Sequence, residues 1–386
     1  MALRIAIPLL HRLMSQKIHD LFEIRSALSL SEAGHAPILL VRENFEPEQF
    51  RHYYQIPRES QLNIVSLPTP IQSRHLFSGR LLSWLLRNRG EYDLILTHEI
   101  EIAQFLTRFK KILKKPVVYE MHKPHHATMA PEPTLLEKKI FDQINGLIVT
   151  TQSLKKWVLE NYNLSCPVEQ IPLTSTIDPV STQDVHKPYR IFFVGQPTRN
   201  RGVEILVQGL SQLTDCELHV IGGTPDQLTN FRVLIAENIS PRIVFYGYVP
   251  QSQIREKLEG ALAVVCPTLL TGSMPFVAMT KLYDYLGWGV PIVASNLPSI
   301  REVVTHEQEA LLFHAGDTNS YVECIRRLIA DNELRMSLRV NALKLAHDYT
   351  WEKRTQRLTL FLQRVLSSLQ NDKATSIPSR NTILAP

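Results

Sequence analysis

Short, nearly uninterrupted runs of Val, Ile and Leu, each followed by a longer stretch of helical period, recur along almost the whole chain. In the first half the runs fall at residues 4–10, 37–41, 63–67, 93–98, 116–122, 147–151 and 168–173. A strand with one wet face alternates polar and apolar residues, whereas a run apolar throughout suits a parallel strand covered on both faces. Between the runs lie helix-like segments such as 18–33, closed by Gly34 where a C-cap is expected. This succession reads as β-α-β units on a parallel sheet. The pattern stops at 179–188 (PVSTQDVHKP), polar and proline-flanked, then restarts with runs at 190–195, 217–222, 243–248, 261–267, 291–295 and 310–313. The expected fold class is therefore α/β, with two doubly wound, Rossmann-like domains at 1–180 and 189–350 joined by a linker at 181–188. A helix at 351–369 is expected to pack back across both domains, and the polar, unpatterned 370–386 to be a frayed tail. Sheets of this kind bind ligands at the carboxyl ends of their strands, so the cleft between the domains is the expected site.

Composition narrows the function classes. Lys and Arg total 42 against 37 Asp and Glu, a net charge of only +5. The surplus is small on both sides of Lys187: 22 basic and 19 acidic residues up to it, 20 and 18 after it. Neither half is a basic domain, so a nucleic-acid partner held by bulk charge is not expected. Four cysteines (Cys166, Cys216, Cys266, Cys324) stand far apart with no CxxC pair, which speaks against a zinc knuckle, a redox dithiol or a disulfide framework. The first apolar run is short and lacks a small-residue cleavage site, so it reads as a strand rather than a signal peptide. No stretch approaches the roughly 18 apolar residues of a membrane span. The expected location is cytoplasmic, at most resting on a membrane surface.

The chemistry is expected at strand ends. The run 190–195 leads into Gln196-Pro197-Thr198-Arg199-Asn200-Arg201-Gly202 and then a helix at 203–210. A strand, a tight turn and a helix start with two arginines is an arrangement that collects an anion, although the spacing is neither a Walker A loop nor GxGxxG. Two solvated arginines are the plain alternative. After the run 261–267 comes a loop (TLLTGSMPFVAMT), then KLYDYLGWG. Thr280 is placed as an N-cap, with Lys281 and Asp284 three residues apart on one helix face. There a lysine can hold phosphate while a carboxylate accepts bonds from ribose hydroxyls; a surface ion pair is the alternative. His122 and His98 each close an apolar run and would face one cleft, though a strand-end histidine is often purely structural. No Asp-x-Asp occurs and no ligand cluster is visible in the spacing, so no metal is expected and protein cations would have to neutralise a diphosphate.

FFVGQPTRNRGVEIL, IVFYGYVPQSQI, AMTKLYDYLGWGVPIVAS and the closing NLPSIREVV…EALLF…GD resemble family 4 retaining glycosyltransferases, as do EAGHAPILLV, YDLILTHEIE, PVVYEMH and GLIVTTQSLKKWV in the first half. The resemblance covers roughly residues 3–368. It implies the GT-B fold, with two Rossmann-like domains facing across a cleft, and a nucleotide-activated sugar as donor. It places Gly195, Arg199, Arg201, Thr280, Lys281 and Asp284 at the donor, with Tyr248 lining the base pocket. It puts His122 opposite the reacting sugar, whereas His98 is placed on the acceptor side of the cleft only by its position at the end of the preceding run. Gln196 stands where the family has an arginine and Arg201 where it has a lysine. Phe276 stands where its E-x7-E motif has the first glutamate, and residues 1–33 lack the family's glycine-rich turn.

The expected activity is transfer of a sugar from a nucleotide-diphosphate donor to a hydroxyl acceptor, with retention and without a metal or other cofactor. His122, Arg201 and Lys281 are the expected catalytic residues. A nucleotide-sugar epimerase and a silent nucleotide-sugar-binding protein are the rivals. Residues 71–115 carry nine basic and four acidic side chains, a window that alone nets +5. Leucines interleave with those arginines, as in a peripheral helix on an anionic bilayer, whose acceptor would be lipid-linked. The alternative is an ordinary helix with its leucines in the core.

Overall fold

The computed structural model describes residues 2–14, 18–58, 60, 62–69, 73–125, 132–181 and 185–375, with backbone alone at 18–20 and 371–375. Each apolar run corresponds to one strand, to within three residues at either end. β1 (Arg4–Leu9), β2 (Ala36–Val41), β3 (Asn63–Ser66), β4 (Leu94–Thr97), β5 (Val117–Met121), β6 (Gly146–Val149) and β7 (Val168–Gln170) form a seven-stranded sheet, ordered β3-β2-β1-β4-β5-β6-β7. β8 (Tyr189–Val194), β9 (Cys216–Ile221), β10 (Ile243–Gly247), β11 (Ala261–Cys266), β12 (Ile292–Ser295) and β13 (Ala310–Phe313) form a six-stranded one, ordered β10-β9-β8-β11-β12-β13. All the pairings are parallel. These are two doubly wound, Rossmann-like domains. Strand order reverses between β1 and β4 and again between β8 and β11, which opens a crevice at the carboxyl end of each sheet.

Several strands stop short of the apolar run that contains them. His98 and His122 consequently follow β4 and β5 rather than close them. Gly34, with φ of 81°, ends the helix Ile18–Glu32.

The last helix, Trp351–Thr375, returns to the first domain. Leu358, Phe361, Leu362 and Val365 are buried together with Ile5, Leu94, Val118 and Ile148, so this helix shares one face of the first sheet with the helix Ile18–Glu32. Burial of each such side chain is worth about 1.5–3 kcal/mol. The approach is close at β6: a Cβ on Gly146 would lie 2.9 Å from Val365 Cγ2. The helix runs past 369 to Thr375, so 370–375 is helical rather than tail. The rest of the expected tail, 376–386, and linker residues 182–184 lie outside the described residues.

Candidate functional site

The crevice of the second sheet is floored by the ends of β8 and β11 and roofed by the helix Thr280–Trp288. Tyr285 ties roof to floor: its buried hydroxyl lies 3.5 Å from Val194 O, 3.3 Å from Val265 O and 3.3 Å from Val194 N. Gly195 leaves β8 with its N–H committed to Ile221 O at 2.8 Å. A 3-10 turn, Arg199–Arg201, then leads through Gly202 into the helix Val203–Gln212. Gly202 has φ of 68°, and a Cβ there would sit 1.7 Å from Pro267 O, so only glycine lets the turn lie against the end of β11. This geometry separates the two arginines. Arg199 has 86% of its side chain exposed and pairs with Glu204 at 3.1 Å. Arg201 turns inward, its Nη1 3.2 Å from Met279 Sδ at the mouth of the roof helix.

Thr280 is not the N-cap. Met279 occupies that position without a side-chain cap bond, and Thr280 is the first helical residue, because the loop enters the helix one residue earlier than the Thr-Lys-Leu pattern suggests. Lys281 and Asp284 do share a helix face, with Nζ 2.9 Å from Oδ2. The pair is not on the surface: Asp284 is buried, and its Oδ1 has Gln251 Nε2 at 3.4 Å. Tyr248 is half-exposed and faces Tyr53 of the first domain; burial and that neighbour raise its phenol above the ordinary range.

In the first domain the fold assembles a cluster that spacing alone did not reveal. Glu120 lies inside the buried strand β5 with no exposed surface. Its Oε1 is 3.2 Å from His122 Nε2 and its Oε2 is 3.2 Å from His98 Nε2. Arg354, from the last helix, sets Nη2 2.7 and 2.8 Å from the two carboxylate oxygens. Beyond it, His98 Nδ1 is 3.4 Å from Glu23 Oε1. His98 does not face the cleft, because these carboxylates hold it inside with 6% of its side chain exposed. His122 keeps 22% exposed. Burial alone lowers the His98 imidazole, but Glu120 and then Glu23 outweigh it and push it up to about 10. Burial likewise raises Glu120, yet Arg354 and His98 hold it well below the usual carboxylate range. Glu23 is raised, by burial.

Among the described residues, His98, Glu120 and His122 are the one group with metal-ligand spacing, their ligand atoms lying within 4.8 Å of one another. Arg354 already occupies both Glu120 oxygens, which makes this a charge-balanced cluster before any cation arrives. Glu120, Glu23 and Arg354 were the residues missed. A carboxylate in the middle of Val117-Val118-Tyr119-Glu120-Met121 was the available signal, since a charge inside a buried strand requires a partner. His126 lies outside the described residues.

Phe276 sits at the meeting of the two domains. Its ring packs on Trp157 of the first domain with centroids 6.0 Å apart, and Thr151 Oγ1 donates to its carbonyl at 2.7 Å. Glu302 of the second domain accepts from Ser153 Oγ at 3.2 Å and from Gln152 N, at the start of the helix Gln152–Asn161. The place where a glutamate was expected is thus used for interdomain packing. Of the stretch 71–115, residues 73–115 are described. On the helix Arg74–Arg87, Phe77, Leu81 and Leu85 enter the core, while Arg74, Arg80 and Arg87 face water. No helix among the described residues is long and apolar enough to cross a membrane.

Comparison with known proteins agrees with this architecture. Residues 25–173 match the family described as Glycosyltransferase Family 4, and residues 188–331 match Glycosyl transferases group 1. A D-inositol 3-phosphate glycosyltransferase of Corynebacterium jeikeium is 22% identical over 327 residues, 76% of either chain. Sucrose-phosphate synthase from Thermosynechococcus elongatus superimposes with a TM-score of 0.77 at 15% identity, covering 95% of this chain and 100% of that one. Anabaena HepE, in complex with UDP and glucose, gives a TM-score of 0.75 at 15% identity, covering 94% and 99%. With both halves matched in order and both sheets superimposed on known relatives, the chain belongs to glycosyltransferase family 4 and is a glycosyltransferase of the GT-B fold.

Proposed function

We propose that the protein transfers a sugar, with retention, from a nucleotide-diphosphate donor to a hydroxyl acceptor, and that it needs no metal. The observation that carries this reading is the convergence of Arg201 with the Lys281–Asp284 pair over the ends of β8 and β11. The donor diphosphate would lie between Arg201 and Lys281, beside the first turn of the helix Thr280–Trp288. Charge grows on it as the bond to the sugar breaks, and preorganised cations in a closed cleft stabilise that charge most where it develops. Asp284 keeps Oδ2 on Lys281 and offers Oδ1 to a ribose hydroxyl. The acceptor oxygen attacks the anomeric carbon as the bond to phosphate breaks, and the acceptor proton passes to the departing phosphate oxygen on the same face. His122, on the opposite wall, orients the sugar and shares developing charge. Arg199 faces outward and Tyr248 bridges to Tyr53, so both sit at the rim.

HepE is a relative of this fold whose structure holds UDP and glucose, which supports a nucleotide-sugar donor. A donor library, incubated with the protein and a cell extract and read by mass spectrometry, tests the proposal. One donor should give a product larger by one sugar, with the same anomeric configuration, in the presence of EDTA. An epimerised nucleotide sugar without acceptor, or full loss on chelation restored by Mg²⁺ or Mn²⁺, would overturn it.

A further inference from the structure

We propose that Glu120 and Arg354 are positioning residues for the reaction, which makes the last helix of the chain part of the active site. Arg354 pins Glu120, and Glu120 holds the imidazole of His122 in one orientation. The proposal rests on the placement of His122 opposite the donor given above.

Packing alone does not require a charge in β5. A buried ion pair can be exchanged for apolar residues of similar volume with little or no loss of stability, so its presence calls for another use. That use is visible in how the two oxygens are divided. Each accepts from Arg354 Nη2, and each has one imidazole nitrogen 3.2 Å away, His122 Nε2 beside Oε1 and His98 Nε2 beside Oε2. Arg354 is itself fixed, because Nη1 donates to Ile171 O at 3.1 Å and to Pro172 O at 2.7 Å. Phe22 closes the far side, edge-on to His122 with centroids 5.7 Å apart and 4.8 Å from the Arg354 guanidinium carbon. The Nε2 atom of His122 is buried beside Glu120, while 22% of the side chain stays exposed. An imidazole held by a carboxylate in this way keeps its proton on the nitrogen facing the carboxylate and presents a fixed edge to the cleft.

The test uses the full chain labelled with ¹⁵N-histidine, with the His122 signals assigned by their loss in His122→Asn. The wild type should show a slowly exchanging, far-downfield Nε2 proton on His122. The double variant Glu120→Leu/Arg354→Met leaves no unpaired charge from this pair and should melt well above Arg354→Met alone while losing that proton. With UDP-glucose as probe and UDP release as readout, its kcat should fall about 10- to 100-fold, the scale of a misplaced reacting group. Its affinity for UDP should stay within about twofold. A wild-type His122 protonated only on Nδ1, or stoichiometric Zn²⁺ retained on bare Nε2 atoms, would overturn the proposal. If His122→Asn is slow while the double variant keeps both the proton signal and kcat, the positioning role alone fails. If His122→Asn releases UDP at the wild-type rate, the placement of His122 opposite the donor fails, and the positioning role with it.

Discussion

His98 shows how far an environment can move one side chain. Its ordinary value of 6.5 is pushed up to about 10 because the penalty of burial is outweighed by Glu120 and Glu23. A raised value means that the folded state binds the proton more tightly than the unfolded chain. This stabilisation is complete below about pH 6.5 and disappears as pH rises through 10. The melting temperature should therefore fall between pH 7 and 10, and His98→Gln should flatten that decline; equal slopes in the two proteins would refute it. Glu120 contributes with the opposite sign, its depressed value giving stability that is lost only as acid protonates it. Asp284 is the residue to probe on the donor side. Asp284→Ala should leave the fold intact and weaken binding of the nucleotide-sugar donor about ten- to a hundredfold, the value of a charged hydrogen bond; calorimetry showing unchanged affinity would remove its ribose role. Lys281 and Asp284 were legible because i,i+3 spacing fixes a shared face. The depth of that face was not legible, because it is set by Tyr285 reaching the ends of β8 and β11. The two arginines looked equivalent in the sequence, and the 3-10 turn Arg199–Arg201, closed by the left-handed Gly202, sends one outward and the other inward.

At the scale of elements, the last helix carries more than its length suggests. Removing one partner of a buried pair leaves an uncompensated charge, at a cost of about 3–5 kcal/mol. Arg354→Met alone should therefore lower the unfolding midpoint sharply, while pairing it with Glu120→Leu should restore most of the loss; a single variant as stable as wild type would show that Glu120 finds another partner. Strand centres were readable from apolar runs because burial on both faces leaves no polar position. Strand ends were not, since they depend on where a neighbouring strand stops supplying hydrogen bonds. His98 and His122 lie just beyond such ends, which is why a cleft-facing role looked equally open to both. Arg354 was invisible for a different reason. It stands 234 positions from Glu120, and nothing local distinguishes it from the exposed arginines around it.

For the whole molecule, the interdomain contacts decide how freely the cleft opens. Phe276 on Trp157, Thr151 on the Phe276 carbonyl and Glu302 on the helix Gln152–Asn161 fasten one side, while Tyr53 and Tyr248 meet on another. The variant Phe276→Ala/Glu302→Ala should widen the distribution of domain separations seen by small-angle scattering without UDP; a profile superimposable on wild type would mean that these contacts do not hold the domains. The two-domain plan was legible from the break and restart of the strand pattern, but contacts between domains join residues 125 positions apart and leave no periodic trace. With Phe77, Leu81 and Leu85 in the core, Leu76 is the one large apolar side chain that the helix Arg74–Arg87 leaves fully exposed, and the protein should not co-float with anionic vesicles at physiological salt. Co-flotation would point instead to a lipid-linked acceptor. The return of the last helix to the first sheet also bears on how the chain is made. The first domain leaves the ribosome with one face of its sheet only partly covered and Glu120 without its arginine. At about 5–20 residues per second, the roughly 180 residues from β7 to Arg354 keep it waiting some 10–40 s. The second domain needs no such late segment for its own sheet and can finish first, so the half of the enzyme synthesised earlier is the half completed last.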